Sequence, residues 1–259
     1  MSDSLRGKKV LVTRPAAQAE HLCDLVAQVG GVPIRLPALD ILPIEDRSRF
    51  DAVCSRLDDY AIAIFVSRNA VAFALPLLGD RLHALARLRL VATGPGTADA
   101  LRAAGLPSVI HGGTQADSEA LLNLTELQED AARNRRVVIF RGTDGRELLA
   151  DTLRARGARI DYAEVYRRVT PRYEKLLLDK IWLTDKPDLM VVTSTEALRN
   201  LFAILGPEHR VIMLDTPLVV IGERLAGLAR ELGFGRQAVI VAAPGDEELM
   251  RVILQNFRV

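Results

Sequence analysis

The chain has only two cysteines, Cys23 and Cys54, among 259 residues, and they fall in separate predicted elements. Neither belongs to a CxxC pair or stands near a histidine at ligand spacing, which excludes a disulfide framework and a structural zinc site. Both are expected to be free thiols, buried or half-buried. The four histidines, His21, His83, His111 and His209, are scattered singly, with no HxxxH pair. They are expected on the surface or on helix faces, and no metal is expected. An excess of one charge is also lacking: 34 basic residues balance 33 acidic ones, for a net charge of +1. That balance gives no reason to expect nucleic acid or a membrane surface as partner. No apolar run approaches the ~18 to 20 residues of a membrane span, and the opening MSDSLRGKK carries no apolar stretch of the signal-peptide kind. A soluble, cytoplasmic protein is the expectation. The chemical signatures that name many α/β enzymes are absent too. GPGTAD (Gly94 to Asp99) has two glycines of a dinucleotide fingerprint but Asp99 in place of the third, and there is neither a Walker lysine loop nor a GxSxG elbow. No Ser, His and acid grouping can be assembled from order or spacing.

What is present is an ordinary globular composition, 49% hydrophobic and 26% charged, in a chain long enough for one large core or two of domain size. An internal repeat favours two. Val137 to Pro171 (VVIFRGTDGRELLADTLRARGARIDYAEVYRRVTP) reads as strand, turn, helix, strand and exit, and Lys9 to Pro43 is a looser copy. In both, a β-branched run ends in an arginine, Arg14 and Arg141, which are 127 residues apart. Ser67 in FVSRNAV and Ser194 in VVTSTEAL are also 127 apart, and Gly94 and Gly222 are 128 apart. A period near half the chain is too long for a solenoid and suits two similar domains.

Strands are expected at Val10–Thr13, Val32–Leu36, Ala61–Val66, Leu88–Ala92, Ser108–Ile110, Arg136–Phe140, Arg159–Val165, Leu189–Val192, Pro217–Ile221 and Ala238–Val241. Helical patterns of roughly ten to fifteen residues lie between most of them, the alternation of a parallel sheet covered on both faces. The first copy of the repeat opens the chain, whereas the second closes the other domain. The simplest winding therefore starts domain one (1–37), builds domain two (41–165) and returns to finish domain one (168–259). The crossings would be linkers at 37–43 and 165–171, a two-stranded hinge with a ligand cleft above it.

Ligands of parallel α/β sheets bind beyond the carboxyl ends of the strands, at helix N-termini. FVSRNA, TGPGTA, FRGTDGRE, VTSTEA and IGERLA all fall at such turns. Ser67, Thr97, Ser194 and Thr195 offer hydroxyls there and read equally as plain N-caps. Only five of the basic residues are lysine; the rest are arginine, whose fork suits carboxylates. Arg14 and Arg141 stand out because they end strands in both repeats.

Taken in order, VLVTRP, the helix closed by Gly30 and Gly31, FVSRNAV, ATGPGTADAL, FRGTDGRELLADTLRARGA, EVYRR and VVTSTEALRNL resemble the uroporphyrinogen-III synthase family nearly end to end. The resemblance implies two flavodoxin-like α/β domains joined by a two-stranded linker. It implies a cofactor-free lyase whose substrate hydroxymethylbilane is a linear tetrapyrrole with eight carboxylates; a monomer is the expectation. Such an enzyme expels the terminal hydroxyl and closes the macrocycle with ring D inverted through a spiro intermediate. Tyr166 matches the family's linker tyrosine and is the expected catalytic residue. Ser67, Thr97 and Ser194 match cleft hydroxyls. Arg14, Arg141, Gly142, Thr195, Gly222 and Arg224 complete the expected substrate-binding set. VIGERLAG departs from the family's Thr pair: Arg224 is a substitute cation, whereas Glu223 repels an anion unless it points away. A two-lobed binding protein for an anionic metabolite is the rival reading, since fold and cleft alone allow it.

Overall fold

The computed structural model describes residues 4–113 and 118–258. In chain order its strands are β1 (Lys9–Val12), β2 (Val32–Arg35), β3 (Asp40–Pro43), β4 (Ile62–Phe65), β5 (Arg89–Ala92), β6 (Val109–His111), β7 (Arg136–Gly142), β8 (Arg159–Val169), β9 (Leu189–Val192), β10 (Leu218–Ile221) and β11 (Val239–Val241). All ten expected strands are present within one or two residues, apart from β8, which runs on to Val169. β3 is additional.

The chain divides into two compact units. One is built from the segment ending at Asp40 together with Val169–Val259, the other from Ile41–Arg168. The first holds a five-stranded sheet in the order β11-β10-β9-β1-β2, parallel throughout. Its strands are short apolar runs because both faces are covered, and successive residues feed opposite cores. Val10, Val12, Leu189, Val191 and Val219 pack with Leu22, Val26, Leu249 and Ile253 of the helices Ala16–Gln28 and Asp246–Phe257. Leu11, Met190, Val192, Leu218 and Val220 face the other way, onto Trp182, Leu198, Leu201 and Leu225. Fully burying such a side chain is worth about 1.5 to 3 kcal/mol, so these two layers hold the sheet together. Cys23 is a free buried thiol in the first layer.

The second unit carries a six-stranded sheet, β3-β8-β7-β4-β5-β6. β4 pairs in parallel with β5 and β7, β5 with β6, and β7 with β8. The same alternation recurs. Ile62, Ile64, Val137 and Ile139 pack beneath Leu149 and Leu153, whereas Ala63, Phe65, Val138 and Phe140 line the core that holds Phe50, Val71, Leu78 and Leu101. Phe65 and Phe140 stack face to face, with ring centroids 4.4 Å apart, in the second of these layers. The second free thiol, Cys54, is buried there as well, and burial above all pushes its pKa up to about 12.

The pairing of β7 with β8 contains an irregularity that positions the site. Arg141 is opposite Glu164, but Gly142 is opposite Tyr166, so Val165 is an extra residue on β8. A one-residue insertion exchanges the two faces of the strand beyond it. Tyr162, before the bulge, packs on the layer of Ile64 and Ile139, whereas Tyr166, after it, joins the layer of Phe65 and Phe140.

Candidate functional site

In the Ile41–Arg168 unit the carboxyl ends of β4, β5, β7 and β8 surround a depression of about 380 Å³ whose lining includes Ser67, Thr93, Arg141, Gly142, Tyr162 and Tyr166. Ser67 follows β4 in an extended conformation and its hydroxyl accepts from the Ala70 N–H at 3.0 Å, which caps the helix Arg68–Leu78. The same Oγ lies 3.3 Å from the phenol oxygen of Tyr166. Tyr166 is only 2% exposed; its ring meets Phe73 at 5.8 Å and rests against Gly142. A Cβ at position 142 would stand 2.6 Å from Tyr166 Cε2, so only glycine lets the ring lie there. Gly142 therefore seats the tyrosine, a role that its position in a β-branched run does not announce.

Arg141 is buried to 6% exposure and makes three oriented contacts. Nε donates to the Gly142 carbonyl at 3.1 Å, Nη1 donates to Glu147 Oε1 at 2.8 Å, and the guanidinium carbon stands 4.7 Å over the Tyr162 ring. The Tyr162 hydroxyl donates to the other oxygen, Glu147 Oε2. The Tyr162 hydroxyl and then the Arg141 guanidinium hold the Glu147 carboxyl below its ordinary range, and burial followed by the Glu147 carboxylate pushes the Tyr162 phenol up. Arg141, expected to bind an anion, is paired here with a carboxylate of the chain itself. A buried guanidinium needs a counter-charge, and the chain supplies one six residues away.

Arg14 is paired in the same way. In the other unit it pairs with Asp246, and both side chains are largely buried; His21 Nδ1 lies 3.1 Å from the second oxygen of that carboxylate. At the neighbouring strand ends Ser194 repeats the role of Ser67, accepting from the Ala197 N–H at 3.1 Å to cap the helix Thr195–Ile204. Thr195 Oγ1 accepts from Arg224 Nη2 at 3.3 Å, and Gly222 opens the helix Glu223–Glu231 with its N–H donated to the Val241 carbonyl. Glu223 and Arg224 are both exposed.

Some expectations are corrected. Thr97 is no N-cap: Gly94 holds that position, Pro95 begins the helix Pro95–Ala103, and Thr97 is buried to 6% exposure in its first turn. At the end of β5 the residue that lines the depression is Thr93, whose hydroxyl donates to the Val66 carbonyl at 3.1 Å. His209, expected on the surface or on a helix face, is on a helix but on its buried face. It is 2% exposed, and Nε2 lies 2.7 Å from Asp179 Oδ1. Asp179, Glu208 and His209 bring ligand-type atoms within 4.8 Å of one another, but Lys175 Nζ already contacts Asp179 at 2.8 Å and Glu208 at 3.6 Å. These residues sit on the helices Lys175–Asp179 and Pro207–Asp215. Sequence reading missed Glu147, Tyr162 and Thr93. Tyr162 carried no usable signal, since the bulge at Val165 breaks the period-2 relation to Tyr166 and the two rings fall in opposite layers.

A family model described as uroporphyrinogen-III synthase HemD matches residues 20–249. The uroporphyrinogen-III synthase of Escherichia coli K12 is 34% identical over 248 residues, which covers 95% of this chain and 99% of that one. Among solved structures, a mutant uroporphyrinogen III synthase from the extremely thermophilic bacterium Thermus thermophilus covers 97% of each chain with a TM-score of 0.65 at 19% identity. The synthetase from Helicobacter pylori covers 96% of this chain and 99% of that one, with a TM-score of 0.60 at 16% identity. The fold is common to these proteins, and with a family match across most of its length and a 34% identical full-length relative, this chain belongs to the uroporphyrinogen-III synthase family.

Proposed function

We propose that this protein converts hydroxymethylbilane into the ring-D-inverted macrocycle, with loss of water, using no cofactor. The observation that carries the reading is the buried Tyr166 phenol beside Ser67 in the depression at the strand ends. Loss of a hydroxyl requires a proton donor or a strong hydrogen bond, and a tyrosine hydroxyl can supply either. The rest of the task is geometric. Unassisted closure gives the symmetric isomer, so the protein must hold ring D against that closure, and each tenfold in selectivity requires ~1.4 kcal/mol. Arg14, Ser67, Thr97, Arg141, Gly142, Ser194, Thr195, Gly222 and Arg224 are the substrate-binding set in this reading. Backbone N–H groups at the helix starts supply the remaining anion contacts.

The two units are read as a duplicated flavodoxin-like domain. The orders β11-β10-β9-β1-β2 and β6-β5-β4-β7-β8 support it, because they put β9 with β4, β10 with β5 and β1 with β7. Those are the strands that lead into Ser194 and Ser67, Gly222 and Gly94, and Arg14 and Arg141. A monomer suffices for this chemistry, in the cytoplasm where its substrate would be made.

Incubation with freshly generated hydroxymethylbilane, followed by separation of the product isomers, tests the proposal. The ring-D-inverted isomer should dominate, at a rate proportional to enzyme. Only the symmetric isomer, at the spontaneous rate, would overturn it and leave a binding protein.

A further inference from the structure

Glu147 sits where a ligand carboxylate would be expected. Its two oxygens are met by two different donors, Arg141 Nη1 on Oε1 and the Tyr162 hydroxyl on Oε2. The donors themselves are fixed. Arg141 is anchored through Nε to the Gly142 carbonyl, and its side chain is 7% exposed. Gly145 makes room for it, since a Cβ there would lie 2.6 Å from Arg141 Nη2. The Tyr162 ring is flanked by two guanidinium groups, that of Arg141 at 4.7 Å and that of Arg154 at 5.6 Å. The acceptor is held far less firmly. The Glu147 side chain is 51% exposed, it stands at the start of the helix Leu148–Ala155, and it makes no capping hydrogen bond there.

We propose that Arg141 and Tyr162 form a carboxylate seat, that Glu147 occupies it as a resident stand-in, and that a carboxylate of a polycarboxylate ligand displaces Glu147 when it binds. The proposal rests on the functional reading above and extends it to Tyr162 and Glu147. A permanently buried Arg141 charge left unpaired would be costly, so an exchange of one carboxylate for another preserves its compensation in both states. Tethering makes the resident group a strong competitor, with an effective concentration on the order of millimolar for a short flexible tether. A single free carboxylate therefore gains little by entering. A ligand bearing several carboxylates, already held by other contacts, presents its own group at a comparable effective concentration and can win the seat. The seat thus discriminates polycarboxylates from simple anions.

Fluorescence titration with uroporphyrin III, the oxidised form of the proposed product, tests the exchange. Glu147→Gln should tighten its Kd about three- to tenfold and lower KM for hydroxymethylbilane by a similar factor, with kcat moving less. Tyr162→Phe, which keeps the ring and removes the donor, should cancel at least half of that gain when added to Glu147→Gln, and Arg141→Gln should cancel all of it. Acetate at the same carboxylate concentration should leave the titration of the parent protein unchanged. An unchanged or weaker Kd in Glu147→Gln overturns the seat, as does a gain that survives Arg141→Gln. The readings remain separable. A tighter Kd in a protein that makes no inverted isomer keeps the seat and removes the activity, whereas turnover without tightening does the reverse.

Discussion

The Tyr166 ring lies against Gly142, so close that a single added methyl carbon would stand 2.6 Å from Cε2 and 2.9 Å from Cζ. The neighbour that would have to move is an aromatic ring that is 2% exposed, packed with Phe73 and held at its hydroxyl by Ser67. Gly142→Ala should therefore cost about 1 to 3 kcal/mol of stability, the range for an overpacked site, and lower turnover by displacing the phenol. Gly145→Ala is the control. Its added carbon meets the far end of the Arg141 side chain rather than a ring, so urea unfolding should show a smaller loss.

Ser67 and Ser194 are matched caps that differ in one contact. Each accepts from the N–H three residues on, and each should lose about 1 kcal/mol of stability on replacement by alanine. Only Ser67 also touches Tyr166. Ser67→Ala should lower turnover modestly, by less than about tenfold, because the backbone donors at the helix start survive. Ser194→Ala should change turnover less. Complete loss of turnover in a folded Ser67→Ala protein would make that hydroxyl a chemical participant instead.

Alkaline pH should reveal the pair formed by the buried Tyr60 and the half-buried Asp161. Tyr60 is 3% exposed and its hydroxyl donates to Asp161 Oδ2 at 2.8 Å. Burial first, and the carboxylate next, push the phenol up to about 12. In the unfolded chain it titrates near ~10. The folded form therefore keeps its proton through a window in which the unfolded form releases it. The contribution is complete below pH ~10 and is lost between ~10 and about 12, on the order of 2 to 3 kcal/mol. Urea midpoints measured from pH 8 to 11.5 should fall more steeply for the parent than for Tyr60→Phe, which starts lower because Asp161 loses a donor. Parallel slopes would show that Tyr60 does not control the alkaline limb. Tyr173, which donates to the Pro37 carbonyl at 2.7 Å and is also pushed up to about 12 by burial, keeps a residual slope in both proteins.

The strands were readable because each is a short β-branched run bounded by turn residues, and burial on both faces leaves little else for such a run to do. β3 escaped because DILP is short and ends in Pro43. It lies at the edge of its sheet, next to β8, where a residue without an N–H is tolerated. Of the four hydroxyls at the strand-end turns, Ser67 and Ser194 are the caps that type and position made readable, whereas Gly94 and Ser194 hold the cap positions of the helices that contain Thr97 and Thr195. The charge partners were not readable: Glu147 looks like any acidic residue at a helix start, and only the fold brings it to Arg141 and Tyr162. The same holds for Asp246, which reaches Arg14 across 232 residues of sequence. His209 left a trace that spacing for metal ligands overlooks. It stands four residues before the fully buried Met213 on the helix Pro207–Asp215, which is the spacing of one inward face. The bulge at Val165 has no signature in AEVYRR, yet it decides which layer Tyr166 joins.

That layer makes Tyr166→Phe the decisive substitution. The ring is packed between Gly142 and Phe73, so phenylalanine should sit in the same place, and the only atom removed is the oxygen that lies 3.3 Å from Ser67 Oγ in the wall of the depression. The Ser67 hydroxyl keeps its bond to the Ala70 N–H, so stability should change by less than ~1.5 kcal/mol. If the phenol assists departure of the substrate hydroxyl, the turnover number should fall by about ten- to a thousandfold, the range of lost acid assistance. Slower enzymatic closure should also let more hydroxymethylbilane escape to the symmetric isomer, so the isomer ratio should shift along with the rate. Adding Ser67→Ala to Tyr166→Phe should then cost less than it does in the parent, because the contact it would disturb is already gone. Parent-like turnover and isomer ratio in a folded Tyr166→Phe protein would assign the tyrosine to packing, with positioning and backbone dipoles left to carry the reaction.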